Sequence, residues 1–134
     1  MQLEVSFRKV AGTGAALGWA GSRTVVADRR AGSAGGLGLG LSGGELMALA
    51  LGAGYFNQLH FSAEALGIEI SDAEVDVRVD FDGDPLRVAG ATVDVRLAVE
   101  GSEADKARLL EHAERESTIS GSVVNGFPVS ISQG

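Results

Sequence analysis

The sequence predicts an α+β domain in which antiparallel sheets surround one long, buried central helix. The strongest signal is LMALALGAGYF at residues 46–56, a run of eleven residues without a charged or amide side chain. Segments that alternate between apolar and polar residues lie before and after this run, and such alternation is typical of half-buried strands. A charged segment with an apolar stripe comes later and predicts an amphipathic helix that covers a sheet.

The composition is that of one globular domain, residues 1–134, with 45% hydrophobic and 22% charged residues. A net charge of −7 argues against nucleic acid and anionic membranes as partners, because both attract basic surfaces. The chain has no cysteine, which excludes disulfides, thiolate metal sites and thiol catalysis. Charged residues occur early and no secretory leader is recognisable, so we expect a cytoplasmic protein.

The first part of the chain predicts three short strands. Residues 2–9 alternate strictly, residues 10–20 form a glycine-rich turn with an irregular strand, and residues 23–28 form a short strand. Residues 29–41, RRAGSAGGLGLGL, are expected to be a flexible loop that leads into the central helix.

The central helix is predicted over residues 43–66. Ser42 and Glu45 have the spacing of a capping box at its start, and Gly67 is placed for a left-handed cap at its end. Its apolar run is shorter than the roughly 20 residues that span a bilayer. A helix that is apolar all round must be covered on all sides. One chain of this size offers too little cover, so we predict a homodimer.

The second half of the chain predicts an antiparallel pair, a helix and a last strand. Residues 75–82 and 93–100 alternate on either side of the turn signal DGDP. Ser102 and Asp105 predict a capping box for a helix that ends near residue 116. A turn at residues 125–126 then precedes a strand over residues 127–132.

Two motifs suggest cofactor or metal sites, and their context argues against both. GLGLSG at residues 38–43 matches G-x-G-x-x-G, but the preceding strand ends about ten residues earlier and no parallel βαβ unit follows. His60–Glu64 and His112–Glu116 each have i, i+4 spacing without a third ligand. We therefore expect neither a cofactor nor a metal.

Taken together, two segments resemble the OsmC/Ohr family, the osmotically inducible protein C-like proteins of organic hydroperoxide resistance and stress response. They are SGGELMALALGAGYFNQLHFSAEALGIEISDAEVDVRVDFDG at residues 42–83 and LLEHAERESTISGSVVNGFPVSI at residues 109–131. The resemblance implies the OsmC-like fold and an intertwined homodimer, in which two central helices pack together under two sheets.

The resemblance also implies a reaction that this chain cannot perform. In the family, one thiolate attacks a peroxide and a second thiol resolves the sulfenic acid; these positions correspond to Gly54 and Ser117. Neither residue undergoes thiol redox chemistry, so thiol peroxidase activity is not expected and no catalytic residue is assigned. The family's glutamate at the helix start matches Glu45. Three residues are candidates for its arginine: Arg23, Arg29 and Arg30.

Two interpretations of Gly54 remain open at this stage. In the first, the missing side chain leaves space at the dimer interface for a small, partly apolar ligand. In the second, the glycine lets two helices approach closely. An enzyme with a thiol-independent reaction, using His60 as base, is the alternative function, and a purely structural role is a third. The candidate binding residues are Glu45, Gly54, Tyr55, Asn57, His60, Ser117 and Arg30.

Overall fold

The computed structural model describes residues 1–133, which form one compact unit up to Met47 and another from Ala48 onward. The single domain expected from the composition stays a prediction. In chain order the elements are β1 (Ser6–Lys9), β2 (Ala16–Ala20), β3 (Arg23–Ala27), α1 (Gly43–Leu66), β4 (Glu69–Asp82), β5 (Arg87–Glu100), α2 (Glu103–Glu116) and α3 (Thr118–Asn125).

The first unit contains an antiparallel meander in the order β1-β2-β3. β1 begins at Ser6, later than predicted, and residues 1–5 are exposed. The register explains the late start, because Ser6 lies opposite Trp19 and the chain turns at Gly21 soon afterwards. The residues before Ser6 therefore have no opposing strand within this meander.

The glycine-rich segment at residues 29–41 has a defined structure around one carboxylate, which the expectation of a flexible loop missed. Asp28 is 5% exposed and accepts backbone hydrogen bonds from Arg29 at 2.8 Å, Leu37 at 3.1 Å and Leu39 at 3.0 Å. These bonds, the one from Leu39 foremost, hold the pKa of Asp28 below its usual value. The carboxylate thus fixes the path of a segment that has little apolar surface to bury.

The central helix, α1, has the predicted bounds Gly43–Leu66. The capping box is confirmed, since Ser42 N–H donates to Glu45 Oε1 at 3.0 Å and Glu45 N–H donates to Ser42 Oγ at 3.1 Å. Gly67 has a φ of 67°, as expected for a left-handed cap. Among residues 1–133, no helix is both long and apolar enough to cross a membrane.

The second unit is built on the hairpin of β4 and β5. Their antiparallel pairing is confirmed, with Val77 opposite Val93, and both strands are longer than predicted. The outer face is charged and includes Arg96, which donates to Glu74 and Asp76 at 2.7 Å each. The inner face packs on α1 and α2 around a buried cluster of six residues: Leu59, Ala63, Ile68, Leu97, Leu109 and Ala113.

One side of α1 is not covered by the residues that the structure describes. Leu49 is 55% exposed and Phe61 is 66% exposed, and both are large apolar side chains. The predicted cover on all sides of this helix is therefore not confirmed within the chain. The exposed positions recur at helical spacing: Leu49, Ala53, Phe56, Asn57, His60, Phe61 and Glu64. We call these residues the α1 stripe.

The C-terminal region differs from the prediction in two ways. α2 has its predicted capping box, but it is followed by α3, which the sequence patterns did not reveal. The turn at residues 125–126 is confirmed by Gly126, which ends α3 with a φ of 71°. The predicted strand at residues 127–132 is wrong, because no strand among the described residues 1–133 lies beside it to supply hydrogen bonds. Three of its side chains are exposed: Phe127, Val129 and Ile131.

Candidate functional site

Gly54, which the resemblance matches to the family's first thiol, lies directly beneath α3. A β-carbon built on Gly54 would lie 2.7 Å from Ile119 Cγ1 and 3.0 Å from Ile119 Cβ. Real β-carbons do not approach other atoms so closely, so no side chain fits here unless Ile119 moves. Within one chain, α1 and α3 therefore approach each other closely at this glycine, which is the kind of contact that the second interpretation of Gly54 expects.

Ser117, which the resemblance matches to the family's second thiol, lies at the junction of α2 and α3. It is 6% exposed, and its Oγ makes no hydrogen bond to any residue in the described range 1–133. The backbone leaves the helical conformation here, with φ −63° and ψ 116°, so that one residue both ends α2 and precedes α3. Leaving a buried hydroxyl unsatisfied costs about 1–3 kcal/mol. Such a group is a good partner for a ligand.

Ser117 is one of the residues that line a pocket of about 300 Å³. Burial, followed by the negative charge of Glu114, raises the pKa of Tyr55 above its usual value. The Tyr55 phenol is therefore neutral at neutral pH and offers both a donor and an acceptor. We call this cavity the Tyr55–Ser117 pocket; its lining residues are Tyr55, Val93, Glu114, Ser117 and Ser120.

Two other candidate residues, Asn57 and His60, are exposed on the α1 stripe and do not line this pocket. His60 Nδ1 lies 3.0 Å from the Phe56 carbonyl oxygen, which can only accept, so Nδ1 carries the hydrogen. The two rings also contact each other, with centroids 4.9 Å apart. A neutral His60 ring therefore presents Nε2 as an acceptor, but no acidic partner of His60 is found within residues 1–133.

Glu45 and Arg30 belong to the first unit. The capping hydrogen bonds from Ser42 lower the pKa of Glu45, which is the expected effect of donors on a carboxylate. Arg30 is exposed. Its neighbour Arg29 pairs with Asp28 at 3.4 Å and donates to the Gly14 carbonyl oxygen, so it is already part of the loop structure.

A buried polar network in the second unit was not predicted. Ser62 is fully buried on α1; its Oγ accepts from Gln58 Nε2 at 3.1 Å and lies 2.8 Å from His112 Nδ1 on α2. None of these three residues lines the Tyr55–Ser117 pocket, and their hydrogen bonds link two helices. Only the i, i+4 spacing of Gln58 and Ser62 hinted at the network. The sequence reasoning also missed Val93, Glu114, Ser120 and Ile119.

Comparison with known proteins gives a consistent result. The OsmC-like protein family model matches residues 35–132. An OsmC-like protein from Mycoplasma pneumoniae has a TM-score of 0.78 at 11% identity, over 92% of this chain and 88% of the other. An organic hydroperoxide resistance protein OsmC from Legionella pneumophila has a TM-score of 0.70 at 13% identity, over 92% and 89% of the two chains. No functionally curated protein matches this sequence.

The structural likeness, at such low identity, establishes the fold. The match to the family model covers most of the sequence, residues 35–132. The chain has the OsmC-like α+β fold without a cysteine. It therefore belongs to the OsmC-like protein family.

Proposed function

We propose that this OsmC-like protein is not a thiol peroxidase and instead binds a small molecule in the Tyr55–Ser117 pocket. The observation that carries the proposal is the Ser117 hydroxyl, which is buried beside the pocket and has no protein partner in the described chain. A ligand that hydrogen-bonds to Ser117 Oγ relieves the penalty of this unsatisfied group.

The shape and lining of the pocket support the same conclusion. Its volume of about 300 Å³ is at the lower end of the range of roughly 300–1,000 Å³ that is usual for ligand sites. Val93 supplies an apolar contact, and Tyr55, Ser117 and Ser120 supply hydroxyl groups. A few polar groups on a partly apolar wall are the usual composition of a small-molecule site.

We also propose that the protein is a homodimer in which the α1 stripe contacts the same stripe of a second copy. In a dimer with two-fold symmetry, the same surface patch of each subunit contacts its copy. The stripe is exposed in one chain although it carries Leu49, Phe56 and Phe61. The alternating apolar residues at 127–132 are a second unpartnered element, which a strand of the second copy would complete. The intertwined dimer implied by the resemblance has two central helices packed together, which is the contact proposed for the α1 stripe.

Native mass spectrometry of the purified protein tests ligand binding. A non-covalent mass that is present under native conditions, absent after denaturation and lost in Ser117→Ala supports the proposal. The proposal is contradicted if the native spectrum shows no bound ligand and a fragment screen, monitored through the NMR signals of Tyr55, finds no binder.

Light scattering after size exclusion tests the dimer. We expect a dimer for the native chain and a monomer for Phe61→Glu on the α1 stripe. Phe81→Glu, at an exposed phenylalanine of β4, is the matched control and should stay dimeric. A monomeric native chain, or a dimer that is unaffected by Phe61→Glu, contradicts the proposed contact.

The alternative function, a thiol-independent enzyme with His60 as base, receives no specific support from the contacts of His60 described above. It is therefore not proposed. The cytoplasmic location expected from the sequence stays a prediction.

A further inference from the structure

The charge of the Tyr55–Ser117 pocket restricts the class of ligand that it can hold. Its lining contains one carboxylate, from Glu114, and three hydroxyl groups, but no lysine or arginine. Carboxylate and hydroxyl oxygens all accept hydrogen bonds. An organic anion would place further acceptors beside Glu114, whereas a cation is attracted to it.

Tyr55 does not add a second charge to this pocket. Burial and the nearby Glu114 raise the pKa of its phenol, so the ring is neutral at neutral pH. Glu114 is then the only charged group among the lining residues. The net charge of −7 for the whole chain adds to the same preference for a cation.

We propose that the pocket binds a small primary amine in its ammonium form. The ammonium group lies beside Glu114 and donates a hydrogen bond to Ser117 Oγ, and the alkyl part packs against Val93 and the Tyr55 ring. An ammonium group has three donors and no acceptor, so it can pair with the Glu114 carboxylate and donate to the hydroxyl oxygens as well. This inference rests on the proposed function, because it names the ligand class for the same site.

The single tyrosine of the chain provides the readout. A sample labelled with ¹³C at tyrosine gives ring signals from Tyr55 alone, within the pocket. The probes are n-butylammonium chloride, n-butanol and sodium butyrate, which share a chain length and differ in charge. We expect a saturable shift with butylammonium, an affinity about tenfold lower for butanol, and no saturable shift with butyrate.

Matched variants locate the charge that is responsible. Glu114→Gln should lower the affinity for butylammonium about tenfold, and Ser117→Ala should lower it by a similar factor. Glu111→Gln removes the same charge from the same helix at a residue that does not line the pocket. It should leave the affinity unchanged. Added salt should weaken butylammonium binding and leave butanol binding unchanged.

The outcomes separate this inference from the proposed function. Three results would overturn the ammonium class and leave small-molecule binding intact. They are equal affinities for butylammonium and butanol, tighter binding of butyrate than of butylammonium, and an equal loss of butylammonium affinity in Glu114→Gln and Glu111→Gln. No saturable shift with any of the three probes would also overturn the ammonium class. A retained mass in the native spectrum would still support the proposed function in that case.

Discussion

Ile119 on α3 occupies the space above Gly54 on α1, with its Cγ1 2.7 Å from the point where a β-carbon on Gly54 would lie. The space that a side chain at residue 54 would need is therefore filled by a side chain of the same protein. The glycine at residue 54 and the isoleucine at residue 119 are two parts of one packing arrangement. This relationship determines how substitutions at residue 54 will behave.

We expect Gly54→Ala to behave differently in two backgrounds. In the native chain, overpacking costs about 1–3 kcal/mol and offsets the gain of up to about 1 kcal/mol from replacing a helical glycine. In an Ile119→Ala background only the gain remains, so the same substitution should stabilise the protein. Urea unfolding of the native chain, the two single variants and the double variant gives the coupling energy between residues 54 and 119, which we expect to exceed about 1 kcal/mol.

Gly121→Ala is the matched control, since this helical glycine of α3 has open space where a β-carbon would lie. It should stabilise the protein in both backgrounds by up to about 1 kcal/mol. Additive effects of Gly54→Ala and Ile119→Ala would show that Ile119 does not obstruct residue 54.

Restoring thiols should not by itself restore peroxidase activity. The native chain has no cysteine and should not consume organic hydroperoxides with a dithiol reductant. In Gly54→Cys/Ser117→Cys, Ile119 still occupies the space that the first thiol needs. Adding Ile119→Ala should raise turnover at least about tenfold over the double variant, a change of about 1.4 kcal/mol in the barrier.

The rate of hydroperoxide consumption in the three proteins measures this effect, and Ile119→Ala alone serves as the thiol-free control. Equal turnover of the double and triple variants would mean that the isoleucine moves aside without cost. Inactivity of both the double and the triple variant would mean that the other groups around residues 54 and 117 do not support peroxide reduction.

Asp28→Asn should loosen the segment at residues 29–41. Leu37 and Leu39 both donate to the same oxygen, Oδ2, and Arg29 donates to Oδ1. The asparagine side chain has one oxygen and one NH₂ group, so in either orientation its NH₂ group would face at least one of these backbone N–H donors. We expect the backbone amides of Leu37 and Leu39 to exchange with solvent about tenfold faster or more, as measured by native-state hydrogen exchange.

The pH dependence of stability provides a second test of Asp28. Its pKa is lowered in the folded state, so the unfolded chain binds the proton first as the pH falls. The stabilisation is present above the ordinary carboxyl pKa of about 3.9 and is lost as the pH falls through the folded value. Asp28→Asn should lack this contribution. Asp80→Asn, at an exposed acid of β4, should unfold with the native acid dependence.

Ser62→Ala should destabilise the second unit. The substitution leaves Gln58 Nε2 and His112 Nδ1 without their shared partner, at a cost of about 1–3 kcal/mol. Ser130→Ala, at an exposed serine, should change the free energy of unfolding by less than about 0.5 kcal/mol. If Ser62→Ala and Ser130→Ala change the free energy of unfolding in urea equally, the network does not contribute to stability.

Several elements of this fold were predictable because their signals are local. The bounds of α1 and the start of α2 follow from capping residues that bond to their own helix, as Ser42 with Glu45 and Ser102 with Asp105 do. The β4–β5 pair follows from alternation on either side of a turn. The absence of cysteine excluded thiol chemistry from composition alone.

Other features depend on residues that are distant in sequence, and only the tertiary structure decided them. α3 contains β-branched residues and a glycine, which favour helix weakly, and its Ile119 packs on Gly54 of another helix. Residues 127–132 alternate like a strand, but a strand also needs a neighbour, and the part of the chain that the structure describes provides none. Tyr55, Glu114 and Ser117 lie on α1, on α2 and at the junction of α2 with α3, and folding alone brings them to one pocket. Local hydrogen bonding determined where the elements begin and end, whereas packing between distant segments determined the site.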